Sequence, residues 1–273
     1  MIITSAQNPR LQRVRGLLDK RRQREEERAF VVEGVRLAEE GLAAGWTPEL
    51  VLFAAGLSER GQAVVTGFAQ AGAEVLEIAP RLMETLAGTE APQGLLVVFP
   101  QPVAILPERL NFVLVADQLR DPGNLGTLLR SAAAAGVQAA LLSPGTVDAF
   151  SPKVVRSGMG AHFRLPILHA SWDEIHTICA GQGLQVLLAD AAGGEDCWDT
   201  DLHPPLALLV GGEAEGASPQ AAALASRAIA IPMPGRSESL NAAVAASILL
   251  FEVLRQRRSA PPGRTRRDNQ HGT

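Results

Sequence analysis

The chain has 273 residues, of which 47% are hydrophobic and 20% charged, and its net charge is −4. That balance fits a globular α/β protein with room for two modest cores, and two cysteines are too few for a disulfide framework. No stretch approaches the ~18 consecutive apolar residues of a membrane helix and no N-terminal segment resembles a signal peptide, so a cytoplasmic protein without membrane attachment is expected, with Cys179 and Cys197 reduced.

The first feature in chain order is basic. Residues 1–28 hold eight Lys or Arg against four acids, and residues 255–273 hold six against one, so the body between them is acidic. Basic ends can bring a polyanion to such a body. Asn8-Pro9 followed by Arg10 to Arg28 predicts one long helix with Leu11, Val14, Leu17 and Leu18 in a narrow stripe. Its other face offers Arg10, Arg13, Lys20, Arg21 and Arg24 to solvent or phosphate. Strands are expected at 30–34, 50–54, 74–79 and 94–99, with helices at 36–44, 60–70 and 81–86 between them, a small α/β domain.

Pro100, Pro102 and Pro107 suppress helix and central strand, which makes residue 103 the expected boundary. Residues 1–103 then form one domain, 104–257 a second, and 258–273 a basic disordered tail. Strands of the second domain are expected at 112–116, 139–142, 184–189, 206–210 and 229–231, before a last helix from about Leu240 to Arg255. That helix presents Leu240, Val244, Ser247, Ile248, Phe251 and Leu254 at helical spacing, more apolar surface than one sheet face need cover. The segments richest in chemistry all lie beyond the linker, so any ligand site they build is expected to be independent of the first half.

Three segments carry that chemistry. Asp117 to Arg130, DQLRDPGNLGTLLR, leaves an apolar strand, turns at Pro122-Gly123 and opens a helix, which puts polar groups at the carboxyl end of a sheet. Leu206 to Val210 runs into Gly211-Gly212-Glu213, where glycines let a ligand approach the main chain. Ile229 to Ala242, IAIPMPGRSESLNA, carries two prolines that take it out of the sheet before a helix entered through Ser and Asn. Ser237 or Ser239 suits the N-cap, and Asn241 falls in the first turn. No G-x-G-x-x-G follows a strand, which argues against a dinucleotide fold.

Together these segments resemble the three motifs of the SpoU (TrmH-type) branch of the SPOUT methyltransferases. The match lies in Asn124 and Arg130, then Gly211 and Glu213, then Pro232, Ser239 and Asn241, in the family's order. The segment from Ser151 to Pro166 resembles the family's connecting region, and Phe30-Val31-Val32-Glu33-Gly34 resembles the start of a substrate-binding domain found in many members.

The resemblance implies a C-terminal α/β fold with a deep trefoil knot, plus a smaller N-terminal α/β domain that binds RNA. It implies an S-adenosylmethionine-dependent RNA 2′-O-ribose methyltransferase, acting on ribosomal RNA, and a homodimer with residues of both subunits near each site. Catalytic roles would fall to Arg130, Asn124, Glu213, Ser239 and Asn241. Main-chain groups around Gly211, Ile231 and Leu240 would hold the cofactor, with Leu209 and Met233 as apolar walls. Arg10, Arg13, Arg21, Arg120, Lys153, Arg156, Arg164 and Arg236 are the expected RNA contacts. Arg130 has two open roles: positioning ribose and phosphate, or accepting the hydroxyl proton in spite of a side-chain pKa of roughly 12.5–13.8. The acidic loop with Asp190, Asp196, Asp199, Asp201 and His203 lacks rigid ligand spacing, and no metal is expected. Transfer RNA as substrate, or a noncatalytic assembly factor of the same fold, are the rival readings.

Overall fold

In the computed structural model, which describes residues 2–88, 92–212, 216–235 and 239–259, the chain opens on helix α1 (Pro9–Asp19). Its cap is Asn8, whose side chain accepts from Arg10 N, and Pro9 occupies the first turn, where its missing N–H costs nothing. The single helix expected to Arg28 is two, because Lys20 is extended and α2 (Arg21–Glu27) starts afresh. Arg24 accounts for the break. Its Nη1 donates to the carbonyls of Leu17 (2.6 Å) and Leu18 (3.2 Å), acceptors that the end of α1 leaves open, while Nε donates to Asp148 Oδ2 at 2.7 Å. Arg24 is therefore buried and not offered to phosphate.

The first sheet follows through β1 (Ala29–Glu33), α3 (Val35–Ala43), β2 (Leu50–Ala54), α4 (Glu59–Gln70), β3 (Glu74–Ile78), α5 (Pro80–Leu86) and β4 (Leu95–Pro100). Its order is β1-β4-β2-β3, with β4 antiparallel to both neighbours and β2 parallel to β3. Side chains alternate as the pleat requires. Phe30, Val32, Val97 and Phe99 face the core with α3 and α4, while Val31, Leu52, Leu96 and Val98 face α1 and α5.

Residues 101–111 carry no helix or strand. Beyond them come β5 (Phe112–Ala116), α6 (Pro122–Ala135), β6 (Ala139–Leu142), α7 (Pro152–Gly158), a 3-10 turn (Ala161–Phe163), β7 (Ile167–His169), α8 (Trp172–Gly181), β8 (Gln185–Ala189), β9 (Glu195–Asp196), β10 (Leu206–Val210), α9 (Pro219–Leu224), β11 (Arg227–Ala230) and α10 (Ala242–Ser259). The seven strands are parallel throughout, in the order β7-β6-β5-β10-β8-β11-β9. Helices on both faces explain why β5 and β10 read as unbroken apolar runs.

The two sheets share one core. Phe30, Trp46 and Phe99 of the first half interlock with Phe150 and Phe163 of the second, with ring centroids 5.1 Å apart for Phe99–Phe163 and 5.2 Å for Phe30–Phe150. The Trp46 indole N–H donates to the Phe163 carbonyl at 3.3 Å, and Arg24–Asp148 and Arg164–Glu40 pair across the same seam. The independence expected from the proline linker does not extend to packing: the halves are distinct in sheet but continuous in core.

Candidate active site

The site is assembled at the carboxyl ends of the parallel strands, where the order reverses around β5, β10 and β8. After β5 the chain turns through Asp117 to Asp121, which caps α6 by accepting from Asn124 N at 2.8 Å, with Pro122 next in line. Asn124 thus stands on the first turn of α6. Gly126 lets α6 approach α7: a Cβ there would lie 1.9 Å from Ser157 Oγ and 2.6 Å from the Val154 carbonyl. This glycine of the first motif serves close helix packing.

The third motif returns to the same place. Asn241 does not sit inside the last helix but caps it, its Oδ1 accepting from the amides of Ala243 (3.0 Å) and Val244 (3.2 Å). The cap fixes the amide orientation, so Nδ2 points away and donates to Asn124 Oδ1 at 3.0 Å. Ser131 and Ser247, 2.7 Å apart, join α6 and α10 farther along.

Between these elements lies a cavity of about 900 Å³. Asn124, Gly211, Ile231, Met233, Ser239, Leu240 and Asn241 all line it, so the structure brings together residues expected from three distant segments. Gly211 is required where it stands, since a Cβ would meet Ala217 N at 2.7 Å. Gly212 N donates to the Gly216 carbonyl at 3.1 Å and closes the base of the loop between them.

Other expected residues lie elsewhere. Leu209 is buried against the α8 side of the sheet, because alternation along β10 sends Leu208 and Val210 the other way. Val210 and Ile229 contribute to the cavity wall instead. Arg130 is exposed on α6, six residues past Asn124 and about 9 Å farther along the helix, outside the cavity. Glu213 and Arg236 fall outside the described residues, as do Ser237 and the tail from 260.

The basic residues are largely engaged. Arg10 pairs with Glu74, Arg13 with Glu27 and Glu49, Arg21 with Glu25 and Arg164 with Glu40, each at 2.6 Å. Lys153 and Arg156 keep longer contacts, 3.8 Å to Asp121 and 4.0 Å to Glu33. Arg120 is exposed beside the first motif, 3.5 Å from Gln118 Oε1. Asp190, Ala191 and Ala192 line the cavity but were not among the expected site residues. They follow β8, and the rule that pointed to the ends of β5 and β10 could have found them.

Burial pushes the thiols of Cys179 and Cys197 up to about 11, so neither supplies a thiolate near neutrality. Among the described residues no group of three or more His, Cys, Asp or Glu side chains is placed to hold a metal, and no helix is long and apolar enough to cross a membrane.

Comparison with known proteins agrees with this geometry. A family model described as SpoU rRNA Methylase matches residues 111–251, and one described as an MRM3-like substrate binding domain matches residues 8–97. The mitochondrial rRNA methyltransferase 3A of Danio rerio is 34% identical over 90% of this chain and 68% of its own length. The 23S rRNA (uridine(2479)-2′-O)-methyltransferase of Streptomyces viridochromogenes is 33% identical over 96% of this chain and 93% of its own. Among solved structures, the AdoMet-bound rRNA methyltransferase from Sinorhizobium meliloti superposes with a TM-score of 0.83 at 33% identity, covering 93% of this chain and 97% of that one. The SpoU methyltransferase AviRb from S. viridochromogenes, in complex with AdoMet, gives 0.84 at 30% identity, covering 93% and 100%.

The cavity suits that cofactor. Its size is in the range of sites for such ligands, its glycines leave main chain free of side chains where an adenine edge could bond, and aliphatic side chains line part of its wall. The chain belongs to the SpoU family, SPOUT-class enzymes that transfer a methyl group from S-adenosylmethionine to a ribose 2′-oxygen of RNA.

Proposed function

We propose that this protein methylates a ribose 2′-hydroxyl of ribosomal RNA in the cytoplasm and works as a homodimer. The observation that carries the reading is the Asn124–Asn241 hydrogen bond at the cavity, where the first and third motifs meet. The rRNA-specific relatives, matched over both halves, favour ribosomal over transfer RNA. Two buried free cysteines suit a reducing compartment.

The bound cofactor supplies an electrophilic methyl group on a sulfonium, whose departure as a neutral thioether needs no protein acid. The chain's own task is alignment and charge. Asn124 and Asn241, each fixed by the other, orient the ribose at the mouth of the cavity, with Ser239 as a further polar partner. Glu213, outside the described residues, is assigned the same role from its motif alone. Gly211, Ile231 and Leu240 offer main-chain donors and acceptors to the cofactor, and Met233 covers it. Arg130 positions the target phosphate and stabilises negative charge developing on the 2′-oxygen.

Dimerisation answers the placement of Arg130. Arg130 is exposed next to Ser131, which meets Ser247 on α10, and that helix carries Val244 and Phe251, 47% and 46% exposed, with Leu240 preceding them. A second copy covering this apolar stripe would bury it, and we assign Arg130 to the cavity of that other subunit. Residues 1–103 form the RNA-binding unit and 104–257 the catalytic one. Arg120, Lys153 and Arg156 are the foremost phosphate contacts, Arg236 adds to them, Arg10, Arg13 and Arg21 exchange their carboxylates for phosphate on binding, and Arg164 contributes charge while keeping its seam contact with Glu40.

The reading is tested by incubating the protein with methyl-labelled S-adenosylmethionine and ribosomal subunits or transfer RNA, followed by nucleoside mass spectrometry. Label on a ribose of ribosomal RNA is expected. Label on a base, or on transfer RNA alone, would overturn it.

A further inference from the structure

Asp117 is the first residue after β5 and is fully buried. Its main-chain N–H extends the ladder to the Val210 carbonyl at 2.8 Å, so its side chain sits behind the carboxyl ends of β5 and β10. Oδ1 accepts from the Ser143 hydroxyl at 2.9 Å, and Oδ2 accepts from Ser218 N at 2.7 Å. Both donors are neutral, and among the described residues no cation pairs with this carboxylate. A buried carboxylate in neutral company is costly, and a Leu or Ala in its place would fill the core more cheaply. Its use is shown by what it ties together.

Ser218 directly follows Gly216 and Ala217, which line the cavity together with Gly211 and Gly212. Gly212 lies close on the turn after β5: its missing Cβ would be 3.1 Å from the Gln118 carbonyl. Gln118 itself has a φ of +50°, a conformation most side chains avoid, and its main-chain N–H donates to Ser143 Oγ at 3.2 Å. Ser143, after β6, is thus held between Asp117 and Gln118, and one carboxylate joins three loops at the ends of β5, β6 and β10.

We propose that Asp117 is a positioning residue for methyl transfer: by holding Ser218 N and Ser143 Oγ it fixes the segment from Gly216 to Ser218 and so the main-chain wall that segment gives the cofactor cavity. This rests on the cofactor occupying that cavity. Asp117 acts through that segment and does not touch substrate, so its loss raises KM for S-adenosylmethionine and leaves KM for RNA unchanged. A role in global stability alone would not produce that split.

The test uses the full chain with Asp117→Ala, Asp117→Asn, Ser143→Ala and Ala245→Phe, measured by calorimetry with S-adenosylmethionine and by steady-state kinetics. Asp117→Ala should weaken cofactor binding about tenfold, as expected for losing hydrogen bonds to a charged acceptor. Asp117→Asn keeps one acceptor for Ser218 N and can donate to Ser143 Oγ, so it should stay within about threefold of wild type. Ser143→Ala removes one anchor and should fall between the two. It decides the matter if Asp117→Ala does not fold, since unchanged affinity in folded Ser143→Ala would then overturn the proposal. A folded Asp117→Ala with unchanged cofactor affinity, or equal increases in both KM values, overturns it directly. Absence of binding in wild type would instead remove the functional reading, and unchanged binding in Ala245→Phe, which narrows the cavity, would remove the cofactor's placement.

Discussion

Asn241 Nδ2 donates to Asn124 Oδ1 across 3.0 Å, while Asn241 Oδ1 caps the last helix. One side chain therefore performs two separable jobs. Serine is as good a cap as asparagine but too short to reach Asn124. Asn241→Ser should leave stability within about 0.5 kcal/mol of wild type while lowering methyl transfer at least tenfold. Asn241→Ala should lose about 1 kcal/mol as well, because the cap goes too. Urea unfolding and single-turnover rates on the same preparations distinguish the two losses. Equal activity in Asn241→Ser would remove the contact from the catalytic apparatus.

Arg130 should separate binding from chemistry. It lies outside the cavity, so Arg130→Ala should change S-adenosylmethionine affinity less than about twofold while lowering single-turnover methyl transfer on saturating RNA at least a hundredfold. Arg130→Lys keeps the charge and loses the planar fork, so weak rescue indicates bidentate positioning. Rescue that grows as pH rises indicates proton acceptance, since lysine deprotonates at lower pH. Near-normal rates in the alanine variant would sink its assignment.

The proposed dimer makes a sharper demand. If Arg130 serves the second subunit's cavity, Arg130→Ala and Ala245→Phe chains, each inactive alone, should complement when co-expressed. Random pairing makes half the dimers mixed, each with one competent site, so about a quarter of wild-type activity is expected. If Arg130 works within its own chain, mixing restores nothing. Phe251→Asp, placed in the exposed apolar stripe, should yield a monomeric mass by light scattering and abolish complementation.

How much of this was legible in the sequence follows from the range of each signal. Strands such as Phe112–Ala116 and Leu206–Val210 were readable because burial on both faces leaves an unbroken apolar run. β7 and β9, three and two residues at the sheet's edges, are too short to show a period. The break at Lys20 was hidden because its cause, Arg24 reaching Asp148, spans 124 residues. The same limit hid the union of the two cores behind an ordinary proline linker. At the site, the order of the motifs points to Asn124, Gly211 and Asn241, which line the cavity, whereas alternation along β10 turns Leu209 to the opposite face of the sheet. Strand order, and with it the meeting of β8 with β10 and β11, depends on nonlocal pairing that no local pattern encodes.

His162 gives the shared core a pH dependence. Its ring is buried, Nε2 lies 2.7 Å from the Ala149 carbonyl, Nδ1 has no hydrogen-bond partner among the described residues, and burial pushes its pKa down to about 4. The nearby Asp148 carboxylate works against that shift but does not cancel it. The folded state keeps the ring neutral while the unfolded chain takes up a proton below its ordinary value of 6.5. Stability is therefore fully present above pH 6.5, falls as pH drops toward 4, and has no further loss from this group below that. Between pH 7.5 and 5.0 this group should account for roughly 2 kcal/mol. His162→Gln, which keeps a donor for Ala149 but does not titrate, should be correspondingly less sensitive in urea unfolding at the two pH values. Identical slopes would remove His162 as the cause.

Truncation tests the continuity of the two halves. Deleting residues 1–103 would uncover Phe150 and Phe163 and leave Asp148 without Arg24, its partner at 2.7 Å. Orphaning one member of a buried ion pair costs about 3–5 kcal/mol. Domain stabilities of about 5–15 kcal/mol leave little margin for that loss together with the exposed aromatics. Residues 104–259 alone should therefore unfold without cooperativity or aggregate, and fail to bind S-adenosylmethionine for that reason, although every cavity-lining residue is retained. Adding Asp148→Asn to the fragment removes the stranded charge and should recover part of the cooperativity. Thermal unfolding followed by near-ultraviolet circular dichroism, with calorimetry on the same samples, gives the answer. A fragment that melts like the full chain and binds the cofactor equally well would show that the shared core is dispensable, and that the linker marks an energetic boundary as well as a sequence one.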